Sequence, residues 1–430
     1  MPKRLSERPS AARGTDTEAA AAASAGRAQA AGVLVARQPI LDARLQVAGY
    51  ELLFRTPDVA GARIEDAERA TSQLIVDALG DIGLDSLAGP HPVYVNVSRE
   101  LLLSVCPLPL PPARVVLELL EDQTVDGELV AVVRELAAAG FTLALDDFVY
   151  QPALEPLLDV AHIAKVDVLD LGREGALGQL EHLRGRGLRL VAEKVETHED
   201  FAFYRDAGFD LFQGFFYARP QLVRGRGVPA ARLASIGTLA ELQRAGGSFE
   251  RLTDAIRHDA GLSYKLLRFA NSAYTGARSP VGSVREAVVR LGARAVQQWA
   301  TVLALAAIPN DCPELLPTGL LRARTCQILV SGSEGGCAER AFLVGLFSVL
   351  DALLDAPMDE VLELLALEPP ISEALRTRRG VEGAALAAVI AYEHGTLAPE
   401  GQQAVPDLSA VGAAYGDALA WMQSVAAGIG

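Results

Sequence analysis

Between residues 33 and 216, short β-rich apolar runs recur, and a polar side chain capable of chemistry stands in or just after nearly every one. The runs are Val33–Ile40, Val47–Phe54, Val93–Val97, Val115–Leu119, Thr142–Asp146, Ile163–Val166, Leu188–Ala192 and Leu211–Phe216. Helical patterns such as Glu65–Leu79 and Glu128–Ala139, the latter stopped by Gly140, lie between most of them. Runs this apolar suit strands covered on both faces, and their alternation with helices predicts parallel βα units. Eight such strands over some 190 residues predict an α/β fold, a (β/α)8 TIM-like barrel. A doubly wound open sheet fits less well, because no Gly-rich phosphate fingerprint follows the first strand.

The rest of the chain has a different period. After residue 230 no strand pattern appears, and Leu262, Leu266, Phe269, Ala270 and Ala273 share one helix face. Ser283-Val284-Arg285-Glu286 is a capping-box start, and Gly292 interrupts the period before Val296, Trp299, Ala300 and Leu303 resume it. A barrel over 33–222 is therefore expected to be followed by an all-α domain over 231–430, with the Gly/Pro-punctuated residues 223–230 as linker. Residues 1–32, rich in Ala, Ser and Arg, lack the apolar core of a secretory signal and read as a disordered tail.

Charge separates the two halves as well. Residues 31–222 hold 30 acids and 16 bases, a net −14 out of the chain's formal −15. That balance argues against direct nucleic-acid or membrane binding through bulk charge, while leaving room for a local anion site. The most apolar stretches, Trp299–Ile308 and Ala341–Leu350, have about half the length a bilayer span needs. Cys106, Cys312, Cys326 and Cys337 show no C-x-x-C spacing, so no disulfide framework is expected, and a cytoplasmic location fits best.

In a βα barrel the C-terminal strand ends open on one mouth, where active sites are built. Glu51, Asn96, Glu118, Asp146, Asp147, Lys165, Glu193 and Gln213 would meet there, although they span some 160 positions. Any one acid after a strand reads as a helix cap or loop residue. Gathered together, the carboxylates repel unless a proton or a cation neutralises them. With no Cys or His among them, they form an all-oxygen shell suited to Mg2+, Mn2+ or Ca2+ rather than zinc. The adjacent Asp146-Asp147 pair suits two ions roughly 3.5–4 Å apart, as in two-metal phosphoester hydrolysis.

Residues 33–220 resemble the EAL domain, a family of cyclic di-GMP phosphodiesterases with a (β/α)8 barrel. The resemblance rests on an ordered set: Gln38-Pro39-Ile40; Glu51-Leu52-Leu53 with Arg55; Asn96 in Val95-Asn96-Val97-Ser98; Glu118 and Glu121; Asp146-Asp147-Phe148; Lys165-Val166-Asp167; Glu193 and Glu196; and Gln213-Gly214 before Arg219-Pro220. It implies Glu51, Asn96, Glu118 and Asp146 as ligands of a first metal and Asp147 as sharing a second, with Mg2+ or Mn2+ as cofactor. Glu193 would ligate the second metal or act as base. Lys165 and Gln213 would position the nucleophile, Gln38 and Arg55 would bind the substrate, and Glu196 would anchor a loop. The product would be the linear dinucleotide pGpG. Two departures stand out. Val149-Tyr150-Gln151-Pro152 replaces the usual glycine-rich loop after Asp-Asp-Phe, and Lys194 replaces the usual glycine between Glu193 and Glu196.

The helical segment resembles the HDOD domain through Leu262–Tyr274 and Ser283–Gly292. The order of the two domains is similar to EAL–HDOD hybrid signalling proteins. The resemblance implies a cyclic di-GMP enzyme whose HDOD domain binds no metal and engages an unidentified protein partner, with a homodimer also admitted. The altered loop motivates the alternative of a catalytically inactive receptor or scaffold. His258-Asp259 is read as structural or solvated, because His394 is the sole other histidine after residue 230. Cys326, Cys337 and Trp299 are read as packing residues, and Arg322, Arg324 and Arg340 as a solvated charged face.

Overall fold

The computed structural model describes residues 34–55, 83–104, 108–121, 123–220, 230–275, 279–365, 367–396 and 407–429. The expected tail 1–32, the helix Glu65–Leu79, Cys106 and nearly all of the expected linker lie outside the described residues.

Eight strands close a barrel in sequence order: β1 Leu34–Asp42, β2 Val47–Arg55, β3 Val93–Val97, β4 Val115–Leu119, β5 Thr142–Leu145, β6 Ile163–Asp167, β7 Arg189–Glu193 and β8 Leu211–Gln213. From β2 to β8 the pairs are parallel. The expectation of parallel units throughout is corrected at β1, which runs antiparallel to both β2 and β8. The connection explains this: four residues separate β1 from β2, which suffices for a hairpin, whereas a parallel crossover needs a dozen or more.

Side chains alternate across each strand, so residues two apart share the barrel interior. Ile40, Tyr94, Val116, Ala144, Ile163, Val191 and Leu211 form one buried apolar layer there. Gly49 belongs to this layer by necessity, since a Cβ on it would lie 2.6 Å from the Tyr94 ring. Two residues further along β3 to β8 come Asn96, Glu118, Asp146, Lys165, Glu193 and Gln213. The polar layer thus sits on an apolar floor at the mouth.

The second half is helical, with no strand among its described residues. Ser283 caps the helix Val284–Leu291 by accepting from the Glu286 amide at 3.2 Å, and the Glu286 carboxylate returns to the Gly282 amide at 2.9 Å. The helices Leu408–Ile429 and Gly380–Glu393 pack on β1, the strand that has no crossover helix of its own. A single apolar core, including Val35, Leu41, Leu52, Leu386 and Leu419, therefore runs from the outside of the barrel into the helices.

Arg322 corrects the expectation of a solvated arginine face. It lies on the central helix Leu315–Val330, is buried, and pairs with Glu393 at 2.7 Å. His258 bonds the Asp254 carbonyl at 2.7 Å and Asp259 caps the next helix, so both have structural roles. Burial pushes the Cys326 thiol up to about 12. No helix among the described residues is long and apolar enough to cross a membrane.

Candidate active site at the barrel mouth

Lys165 on β6 is fully buried, and four carboxylates from four other positions in the barrel surround its ammonium. Nζ lies 2.6 Å from Glu118 Oε1, 2.6 Å from Asp146 Oδ1, 2.8 Å from Glu193 Oε1 and 3.4 Å from Glu51 Oε2. Gln213 Nε2 donates to Gln38 Oε1 at 2.8 Å and to Glu51 Oε2 at 2.5 Å, closing the ring between β8, β1 and β2. Asn96 Nδ2 donates to Glu51 Oε1 at 3.4 Å. The strands dictate this meeting: Asn96 pairs in register with Glu118, and Gln38 with Glu51.

Electrostatics follow from burial. Desolvation, reinforced by Glu51 and Asp146, raises the Glu118 carboxyl well above the ordinary range despite the Lys165 charge. The same burial, opposed by Lys165 and assisted by Asp146 and Glu51, pushes Glu193 up to about 8. For Lys165 burial alone acts to lower the pKa. The carboxylates of Glu118, Glu193, Glu51 and Asp146 outweigh it and hold the ammonium well above its usual value.

Among the described residues no three His, Cys, Asp or Glu side chains already form a metal cage; the Lys165 ammonium stands where the carboxylates converge. Yet Asn96 Oδ1, Glu118 Oε2, Glu193 Oε2 and Gln213 Oε1 are buried without a hydrogen-bond partner. Buried polar atoms are seldom left unpaired. An all-oxygen donor set with orphaned lone pairs suits a hard divalent cation.

The remaining expected residues lie around this centre. Asp147 is half-exposed and faces Lys194 at 3.8 Å rather than Lys165. Glu196 pairs with Arg219 at 3.4 Å on the rim. Arg55 ends β2 opposite Leu34, and its side chain lies outside the described residues. The altered loop is pinned down: the Tyr150 ring stacks on His182 at 3.8 Å, and its amide donates to Gln179 at 2.8 Å.

Three residues given no role from the sequence belong to the site or its support. Asp167, inside the Lys165-Val166-Asp167 motif, receives Lys194 and caps the following helix. Arg37 and Tyr50, outward neighbours of Gln38 and Glu51, meet Glu314 of the helical half at 3.8 and 2.9 Å. Period-2 alternation marks Arg37 and Tyr50 as outward-facing, but no local signal names a partner more than 260 positions away.

An acid-lined barrel mouth joined to a helical domain defines the class of protein. The HDOD domain model matches residues 235–390. The cyclic di-GMP phosphodiesterase CdgJ of Vibrio cholerae is 36% identical over 360 residues, covering 82% of this chain and 83% of the relative. The uncharacterized protein YuxH of Bacillus subtilis is 30% identical over 352 residues, covering 80% and 86%. The chain belongs to this family of EAL–HDOD proteins, whose field is cyclic di-GMP signalling. Among solved structures, BlrP1 of Klebsiella pneumoniae in complex with calcium and cyclic di-GMP matches with a TM-score of 0.37 and 24% identity, over 44% of this chain and 56% of that one. A standalone EAL protein of Vibrio cholerae in its cyclic di-GMP-bound form matches with a TM-score of 0.35 and 22% identity, over 44% and 92%.

Proposed function

We propose that the barrel binds cyclic di-GMP and hydrolyses it to linear pGpG with a divalent metal, Mg2+ or Mn2+, while the helical domain serves as regulatory or output module toward a protein partner. The carrying observation is the convergence of Glu51, Glu118, Asp146 and Glu193 on one buried point, with oxygens left unpartnered. Glu51, Asn96, Glu118 and Asp146 would hold the ion, with Asp147 beside them. When bound, it would polarise the phosphodiester and lower the pKa of a water.

The chain's own groups supply the rest. Glu193, whose carboxyl burial pushes up to about 8, suits proton acceptance from a water once the charge of a bound ion offsets that burial and leaves it ionised. Lys165 offsets the carboxylates and offers donors to the nucleophile. Gln213 fixes Gln38 and Glu51 in one hydrogen-bonded set. Gln38 and Arg55 would meet the dinucleotide, the guanidinium fork suiting its phosphate. Glu196 would anchor the rim loop through Arg219.

Regulation by the helices is supported by the contact of Glu314 with Arg37 and Tyr50, each next in sequence to a mouth residue. The buried free thiols of Cys312 and Cys326 accord with a reducing cytoplasm. The pinned Tyr150 loop favours a second reading, a receptor that binds cyclic di-GMP without cleaving it. Incubating the protein with cyclic di-GMP and Mn2+ separates the two. Linear product supports the enzyme, heat of binding without product supports the receptor, and neither result overturns both.

A further inference from the structure

Two of the five described non-glycine residues in the left-handed region, Asp147 at φ 40° and Lys194 at φ 56°, are ion partners of each other. L-residues with a Cβ disfavour that region, and glycine would fill it without strain. At Lys194 the chain accepts the strain and gains an ammonium at the rim of the mouth. That ammonium is anchored. Asp167 Oδ2 binds Nζ, while Asp167 Oδ1 is itself fixed by accepting from the Leu169 and Asp170 amides at 2.9 Å each. From this anchor Nζ stands 3.8 Å from Asp147 Oδ1.

Asp147 is the carboxylate that a second divalent ion beside Asp146 would need. An ion placed there would meet the lysine's positive charge at short range and would have to displace it. Lys165 already offsets part of the inner carboxylate charge from within the barrel, so the inner acids and Asp147 each face a lysine. We infer that Lys194 supplies from the chain itself the counter-charge that a second ion would give Asp147, so that the mouth takes one divalent ion rather than two. This rests on the proposed metal site and narrows it: Lys194 acts as a residue that sets metal stoichiometry, and Asp147 is tied to the chain rather than to an ion.

The test is the Mn2+ stoichiometry of metal-stripped full-length protein, read by calorimetry and by the resonance signal of free Mn2+. Wild type should bind one ion per chain. Lys194→Gly, which suits the backbone, and Lys194→Gln, which keeps the side chain's length without its charge, should each bind two, the second at least about tenfold more tightly than in wild type. Two ions in wild type, or one ion in both folded variants, would overturn the inference while leaving the metal site standing. No Mn2+ bound by wild type would instead remove the metal site and this inference together.

Discussion

Tyr50 donates its hydroxyl hydrogen to Glu314 at 2.9 Å, across the seam between barrel and helices, from the strand position next to Glu51. Glu314 is buried and also faces Arg37 at 3.8 Å, whose guanidinium lies 4.3 Å from the centre of the Tyr50 ring. Tyr50→Phe removes the donor and leaves a buried carboxylate short of one hydrogen bond. It should lower the unfolding free energy by about 1–2 kcal/mol. Denaturant melts check this, and an unchanged midpoint would show that the contact does not bind the halves together.

Lys165 is the counter-charge of the mouth in the metal-free protein. Lys165→Met leaves three buried acids and the part-buried Asp146 without it and should cost about 3–5 kcal/mol, the usual penalty for stripping one partner from a buried ionic group. Mn2+ should recover part of this loss, because the ion would replace the missing positive charge. Melts with and without Mn2+ read both effects, and a loss that Mn2+ leaves untouched would contradict the site's assignment.

The raised Glu193 sets a pH slope. Its folded value of about 8 lies above that of an unfolded glutamate, so the native state holds a proton that the unfolded chain releases. This contribution is complete below the ordinary carboxylate range and is lost as pH rises through about 8. Metal-free wild type should therefore lose thermal stability relative to Glu193→Gln between about pH 5 and about pH 9. Parallel curves for the two proteins would rule the slope out.

Much of this was legible in the sequence because a strand's period of two is unforgiving. Glu118, Asp146, Lys165, Glu193 and Gln213 follow apolar runs, and closing the barrel brings them to one layer. The antiparallel entry of β1 is masked in the sequence by the βα alternation that follows it, and its one local signal is the short link between β1 and β2. Arg322 reads as solvated from the sequence because it is a charged residue on a helix and its buried partner Glu393 lies 71 positions away. The left-handed backbone at Lys194 left a trace in the sequence only as a lysine where the family usually has glycine, and Asp167's hold on it required the fold.

If Asp146 and its neighbours form one metal-dependent centre for opening the cyclic dinucleotide, turnover needs both the ion and the Asp146 carboxylate. The most direct test compares wild type with Asp146→Ala in cyclic di-GMP turnover, with Mn2+ and with chelator. The expected result is linear product from wild type in Mn2+ alone, with a loss on the order of 100-fold or more in the variant. Product formed at equal rates by the variant, or by wild type in chelator, would contradict it.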